Sequence, residues 1–185
     1  MIFVTVGSSP FPFDRLLDAA CELEGELVIQ HGASRPPARG DARAYLGYDE
    51  FMDSLARAQV VVGHAGVGTA GAALRAGKLT VLVPRLARYG EAVDDHQMAF
   101  AHRLAQTGRA VCVEDLRELP ATVAALDGAV PPLPPPPQST LVNELRVAID
   151  EACGRRDGIT LDGGCELRSV SSGSRHAKES TSRRY

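Results

Sequence analysis

The feature that most constrains this chain is a regular alternation of short apolar segments and helical segments through its first 126 residues. Runs rich in β-branched residues predict strands, and apolar residues at helical spacing predict helices. Because each strand of such a series returns to the same edge of the sheet through a helix, the alternation predicts an α/β fold with a parallel sheet and helices on both faces. The predicted strands are residues 2–6, 26–30, 43–46, 60–62, 80–83 and 110–113, and the predicted helices are residues 13–23, 49–58, 69–76, 95–106 and 116–126.

A proline-rich segment divides the chain after this series. Residues 129–137 hold six prolines among nine residues, which makes a stiff spacer. We therefore predict one domain at 1–128, a linker at 129–138, an amphipathic helix at 139–153 and a disordered tail at 154–185. The tail is basic, with 7 Lys and Arg against 4 Asp and Glu, whereas the rest of the chain carries 13 against 19.

Composition argues against several classes of function. Aromatic residues make up 5% of the chain, Trp is absent and the net charge is −3, so a nucleic-acid-binding surface is not indicated. No apolar run is long enough to cross a bilayer and the first residues lack a signal-peptide pattern, so we expect a cytoplasmic protein. Its four cysteines, Cys21, Cys112, Cys153 and Cys165, lie far apart, so neither a zinc site nor a disulfide framework is predicted.

The most informative motif is the glycine-rich run at 63–69, which leads from a valine-rich strand directly into a helix. Gly66 and Gly68 let a ligand approach the backbone, and the free N–H groups of a helix N-terminus attract phosphate. The run predicts a cradle for a diphosphate, with Thr69 in the first turn of the helix. The alternative is a tight turn that requires glycine only for its backbone conformation.

A second candidate loop, at 84–97, follows another predicted strand and carries several polar residues. Arg85 and Arg88 offer guanidinium donors for phosphate, and the amide of Gln97 can donate to and accept from sugar hydroxyls. Asp94 or Asp95 has the alternative role of capping the next helix. Two adjacent carboxylates make a poor cage for a cation, so no metal or other cofactor is predicted.

The loop after the first strand contains Gly7 and Ser8, and a glycine there again permits close approach of a ligand. His31 and His102 fit structural or surface roles better than catalytic ones.

Four sequence runs carry a resemblance to a known family: TVGSSPFPFDRL, GHAGVGT, ALRAGKLTVLVPR and RYGEAVDDHQMAFAHRLAQTG. Together they resemble the nucleotide-sugar-binding half of family-28 glycosyltransferases, above all its free-standing versions. Those are the cytosolic subunit of the dolichol-linked UDP-GlcNAc transferase and the small subunits of bacterial exopolysaccharide glycosyltransferases. The fold implied is a Rossmann-like sheet that forms the single C-terminal half of a GT-B enzyme.

The resemblance also implies an activity, which is metal-independent, inverting transfer by a hexosyltransferase subunit. The donor would be a UDP-sugar of the UDP-GlcNAc or UDP-glucose type, and the acceptor a lipid-linked saccharide in polysaccharide or glycolipid synthesis. A membrane-attached partner subunit would bind the acceptor and hold this chain at the inner face of the membrane as a heterodimer.

The resemblance assigns roles to individual residues. Gly66, Gly68 and Thr69 would line the diphosphate beside His64, with Gly7 and Ser8 facing them, and Asp95, His96 and Gln97 would contact the sugar. Many relatives hold the ribose with a Glu where this chain has Ala72, and Glu91 is the candidate substitute. The general base would come from the partner or, within this chain, from His64 or His96.

Two other functions fit parts of the pattern. A UDP-sugar epimerase shares this half-fold but needs its second lobe in the same chain. A non-catalytic nucleotide-sugar-binding or scaffold subunit is favoured by Ala72. The amphipathic helix at 139–153 either packs on its own domain or docks on the partner.

Overall fold

The computed structural model describes residues 1–126, 128–129 and 147. Within these residues, six strands form one sheet in the order β3-β2-β1-β4-β5-β6, and every neighbouring pair is parallel. The strands are β1 (Ile2–Thr5), β2 (Leu27–Gln30), β3 (Asp41–Arg43), β4 (Val60–His64), β5 (Leu79–Val83) and β6 (Val111–Cys112). The α/β prediction is confirmed.

Helices cover both faces of the sheet because successive side chains of each strand point to opposite sides. On one face, Val4 and Val6 pack with Leu16 of α1 and Val123 of α5. On the other face, Phe3 packs with α2 and α3, and Leu82 with α3 and α4. The helices are α1 (Asp14–Ala20), α2 (Tyr48–Arg57), α3 (Val67–Arg75), α4 (His96–Gln106) and α5 (Leu119–Ala125), and short 3-10 turns lie at Ala87–Tyr89 and Leu116–Glu118.

The structure moves several predicted boundaries. The third strand lies at Asp41–Arg43 rather than 43–46, where it pairs with β2 through Ala42 opposite Ile29. Strand β4 continues through His64, two residues beyond the predicted end, because it stays paired with β5 up to Val83. The predicted linker, the C-terminal helix and the tail lie outside the described residues, apart from Ala129 and from Val147, which is helical and exposed.

The order of the strands fixes where a ligand can bind. The chain leaves β1 towards β2 on one side, and it leaves β4 towards β5 on the other, so the connections diverge between β1 and β4. Such a switch point opens a crevice beyond the carboxyl ends of the strands, where open parallel sheets bind ligands.

Candidate functional site

The N-terminus of α3 forms one wall of this crevice. The first bond of the helix runs from the N–H of Ala70 to the carbonyl of Gly66, so the N–H groups of Val67, Gly68 and Thr69 lie before the hydrogen-bonded ladder. None of the three donates a hydrogen bond within the part of the chain that the structure describes. Among the described residues, a Cβ built on Gly68 would meet no atom within 4 Å other than its chain neighbours and the backbone of its own helix. This turn therefore presents unpaired donors to open space, as a bound anion requires.

The two other glycines of the predicted cradle have a different neighbour, the imidazole ring of His64. A Cβ on Gly7 would lie 2.4 Å from Cε1 of His64, and a Cβ on Gly66 would lie 2.2 Å from its Nε2. Both distances are far below any real contact, so the ring fills the space that these glycines leave. Gly7 also adopts a φ of +74°, which disfavours other residues there. Close approach to a histidine therefore accounts for two of the three glycines that sequence reasoning attributed to a ligand.

The position of His64 determines its protonation. Burial, together with the positive charge of Arg85, lowers the pKa of His64 from 6.5 to about 4, and the backbone of Thr5 offsets part of this effect. Its Nδ1 is buried without a hydrogen-bond partner among the described residues. His64 is thus neutral at pH 7 and a weak base, which suits it to shape the crevice better than to accept a proton from a hydroxyl.

Arg85 ties the loop after β5 to the loop after β1. The side chain is 1% exposed. Its Nη1 donates to the carbonyl oxygens of Phe11 at 2.8 Å and Pro12 at 3.3 Å, and also to that of Glu91 at 2.9 Å. Its Nη2 donates to the carbonyl of Val6 at 2.8 Å. Burial lowers the pKa of Arg85 to about 10, which leaves it charged at neutral pH. The predicted phosphate donor is therefore turned inward and holds two loops together.

Glu91 makes a second connection between the same loops, through Arg15 at the start of α1. Nε and Nη2 of Arg15 donate to the two carboxylate oxygens of Glu91 at 2.8 and 2.9 Å, and the N–H of Leu86 donates to one of them at 3.0 Å. Arg15 also donates to the carbonyl of Pro84 at 3.1 Å and lies against the Phe13 ring. Because Glu91 is 4% exposed and already bound in this way, its carboxylate has a structural partner in place of the predicted ribose.

Thr5, the last residue of β1, holds the loop that follows this strand. Its hydroxyl donates to Oε1 of Gln30 at 3.0 Å and accepts from the N–H of Gly7 at 3.1 Å. Ser8, the next residue, is exposed. The loop that would face a diphosphate is therefore supported by a buried pair of polar side chains from β1 and β2.

The remaining predicted residues lie around the loop after β5. Gln97 is 7% exposed, and its Oε1 accepts from the N–H of Arg85 at 3.1 Å. Asp95 is exposed and accepts from the N–H of Ala87 at 2.7 Å, so it closes the loop instead of capping α4. His96 is exposed and bound through Nδ1 to Asp94, a contact that lowers the pKa of the Asp94 carboxyl. Arg88 is exposed, with its guanidinium over the Tyr89 ring.

The structure thus separates some of the predicted site residues. Gly68 and Thr69 lie at the N-terminus of α3, close to His64, whose ring lies between Gly7 and Gly66. Arg85 and Glu91 lie behind the loops and hold them. Sequence reasoning missed Arg15 and Thr5, whose partners are distant in the chain or belong to the backbone and so leave no local signal.

A cavity lies at the other end of the strands, where they begin. It has a volume of about 870 Å³ and is lined by the starts of β1, β2, β4 and β5 and by α5. It contains none of the glycine-rich or loop residues described above. We place the candidate site at the carboxyl edge because the unpaired donors and the switch point are there.

Within the described residues, no helix has the length and apolar character needed to span a bilayer.

Comparison with known families identifies the domain. The family described as "Glycosyltransferase family 28 C-terminal domain" matches residues 1–128. A search of curated protein sequences found no significant match.

Solved structures share the fold at low sequence identity. The solution NMR structure of ALG13 has a TM-score of 0.55 and 17% identity, over 82% of this chain and 96% of that one. The calicheamicin glycosyltransferase CalG4 has a TM-score of 0.50 and 16% identity, over 82% of this chain and 38% of that one. MurG of Acinetobacter baumannii has a TM-score of 0.48 and 22% identity, with 80% and 44% covered. This chain therefore spans about two fifths of CalG4 and of MurG. Its sheet and helices match the C-terminal half of GT-B glycosyltransferases.

Proposed function

Because this chain belongs to the family of the glycosyltransferase family 28 C-terminal domain, we propose that it binds a UDP-sugar in the crevice between β1 and β4. The sugar would be transferred with inversion to a lipid-linked acceptor, as in polysaccharide or glycolipid synthesis. A second, membrane-attached subunit would supply the acceptor site and bring this chain to the inner face of the membrane. The donor class, the stereochemistry and the partner follow from the resemblance in sequence.

One observation carries the diphosphate part of the proposal, namely the free first turn of α3. The N–H groups of Val67, Gly68 and Thr69 lie at a helix N-terminus, and no described residue outside that helix turn fills the space beside Gly68. Transfer of a sugar leaves negative charge on the departing diphosphate, and preorganised N–H donors stabilise that charge as it develops. The same turn would therefore serve binding and leaving-group stabilisation, with Gly7 and Ser8 on the facing loop.

The roles of the other predicted residues divide by exposure. Arg88 has a guanidinium on the exposed part of the loop after β5, so it is the candidate for direct contact with phosphate. Gln97 and Asp95 are candidates for contact with the sugar. Both Nη atoms of Arg85 bind backbone carbonyls and the Glu91 carboxylate binds Arg15, so these two residues would contribute by holding the loops that carry Gly7 and Arg88.

The proposed transfer also needs a general base to activate the acceptor hydroxyl. The pKa of about 4 argues against His64. His96 is exposed and is oriented by Asp94, an arrangement that favours proton acceptance at the other ring nitrogen. We propose His96 as the candidate base within this chain, and the partner subunit as the other source.

The binding step can be tested by calorimetric titration of the full chain with UDP and with UDP-sugars. Gly68→Ala places a methyl group in the open space of the cradle, and alanine is favourable in a helix, so stability should be kept or raised. We expect this variant to weaken UDP binding at least about tenfold, or by about 1.4 kcal/mol.

The matched control is Gly47→Ala. Gly47 is the N-cap residue of another helix, α2, with a φ of −64°, and it follows the edge strand β3, away from the crevice. The Gly47→Ala variant should leave UDP binding unchanged. A folded chain that binds neither UDP nor any UDP-sugar would refute the proposal. Binding that survives while transfer with the membrane-attached subunit is absent would favour the alternative, a non-catalytic nucleotide-sugar-binding or scaffold subunit.

A further inference from the structure

Three side chains with metal-binding groups meet where α4 packs beside β6. They are His102 on α4, Cys112 at the end of β6 and Glu114 two residues later. Each offers one ligand atom, and these three atoms all lie within 4.8 Å of one another. The proposed function uses none of the three.

The fold holds these residues in place. Cys112 and Glu114 are separated by two positions in an extended segment, so their side chains leave the same side of the backbone. The N–H of Val113, which lies between them, donates to the carbonyl of Leu82 at 2.9 Å and fixes this segment to β5. His102 follows Ala101, which is completely buried against the sheet. Nε2 of His102 lies 2.7 Å from Oε1 of Glu114.

The types of ligand select a class of metal. A thiolate, an imidazole and a carboxylate are the three side-chain ligands that zinc uses, whereas calcium and magnesium prefer sites made of oxygen atoms alone. Zinc binds sulfur at about 2.3 Å and nitrogen or oxygen at about 2.0–2.2 Å, so a tetrahedral site separates its ligand atoms by roughly 3–4 Å. The observed spacings, from 2.7 Å up to 4.8 Å, bracket that range. Small side-chain rotations are then sufficient to form the site.

We propose that His102, Cys112 and Glu114 bind one Zn²⁺ ion, with water in the fourth position. When the ion binds, the sulfur–hydrogen bond of Cys112 breaks, a zinc–sulfur bond forms and the proton passes to solvent. The ion would join α4 to the end of β6.

The position of this site next to the loop after β5 gives it a structural consequence. Glu114 lines a small pocket of about 180 Å³ together with Arg88 and Asp95, and Asp95 closes that loop through the N–H of Ala87. A metal ion held by Glu114 would therefore stabilise the segment after β6, which lies next to the loop after β5. The metal site does not depend on the proposed function, since none of its ligands is assigned a role in binding or transferring the donor.

The experiment is a titration of the full chain with zinc chloride, after a chelator has removed metal acquired during purification. The chain has further thiol and imidazole groups, which are metal ligands in general, and Cys153, Cys165 and His176 are those outside the described residues. The double variant with Cys153→Ser and Cys165→Ser is therefore the control and should bind one equivalent as the native chain does. Cys112→Ser should weaken binding at least about tenfold, since even loss of an outer-shell partner weakens metal sites about 10- to 100-fold.

Cobalt gives a second readout. The Co²⁺-loaded native chain should show a sulfur-to-cobalt charge-transfer band in the near ultraviolet, and Cys112→Ser should abolish it. Glu114→Gln, at an exposed position that does not threaten folding, should weaken the affinity for Zn²⁺ without removing the band. The proposal is overturned by an absence of saturable zinc binding, by unchanged affinity in Cys112→Ser or Glu114→Gln, or by loss of binding in the control.

Discussion

The two loops that border the candidate site are stabilised by opposite means. Between β4 and α3 the chain turns in two residues, and its shape comes from steric fit, with the His64 ring lodged between Gly7 and Gly66. Between β5 and α4 the connection runs from residue 84 to residue 95, and charged side chains hold it. Arg85 and the Arg15–Glu91 pair bind its backbone and that of the first loop.

The difference teaches how a site of this kind is kept open. A two-residue turn has few conformations, so a ring and two missing Cβ atoms are enough to define it. A long loop has many conformations, and ordering each residue costs about 1–2 kcal/mol of backbone entropy. Several strong, buried hydrogen bonds are needed to offset that cost. Both kinds of contact act on the loop after β1. The His64 ring packs against Gly7, and Arg85 donates to the carbonyl of Val6.

The largest expected effect comes from removing the polar clamp of the long loop. Arg85→Met keeps the volume but leaves the carbonyls of Val6, Phe11, Pro12 and Glu91 without their donor. We expect the free energy of unfolding to fall by about 3–5 kcal/mol, as measured by urea denaturation.

Arg88→Met is the matched control, since Arg88 is exposed and its guanidinium lies over the Tyr89 ring. It should change stability by less than about 1 kcal/mol. Equal losses in the two variants would show that the inward-facing guanidinium does not hold the loop.

An intermediate effect should appear as a dependence of stability on pH, caused by the short loop. The native pKa of His64 is about 4 against an ordinary value of 6.5, so the unfolded chain binds more protons between these two values. The free energy of unfolding should therefore fall as pH drops from about 6.5 to about 4. The loss in this window should be up to about 3 kcal/mol.

His64→Asn should flatten this part of the stability profile when it is compared with the native chain by urea denaturation across the pH range. A native profile that parallels that of His64→Asn would contradict a neutral, desolvated imidazole at this position.

The smallest effect tests the steric fit itself. Gly66→Ala places its Cβ 2.2 Å from the His64 ring, which cannot retreat because Gly7 confines its other side. Overpacking of this kind costs about 1–3 kcal/mol. In a double-mutant cycle, the effect of Gly66→Ala on unfolding should nearly vanish in the His64→Ala background. Additive effects of the two substitutions would show that the cost of Gly66→Ala does not arise from contact with the His64 ring.

Sequence patterns were enough to predict the sheet, its parallel strands and the presence of a helix at the glycine-rich run, although α3 begins at Val67 and not at residue 69. They could not predict which way Arg85 points. Arginine in a polar loop is usually exposed, and the four carbonyls that bind Arg85 belong to the backbone, which carries no residue-specific signal. The Arg15–Glu91 pair is similarly hidden, since 76 positions separate the two residues.

The glycines show a second limit of prediction from the sequence. Gly66 and Gly68 have the same residue type and lie two positions apart, yet one accommodates a side chain and the other borders open space. The distinction depends on His64 lying on the extended end of β4, a boundary that the valine run did not fix.

The span of the Arg85 clamp has a consequence for the order of folding. Its bond to the carbonyl of Val6 closes a separation of 79 residues, and contacts over such separations form only after the intervening chain has collapsed. During synthesis the first strand emerges long before Arg85. The loop that carries Gly7 and Ser8 therefore has no fixed shape in the nascent chain, and ligand affinity should arise late, in the same cooperative step that joins the two halves of the sheet.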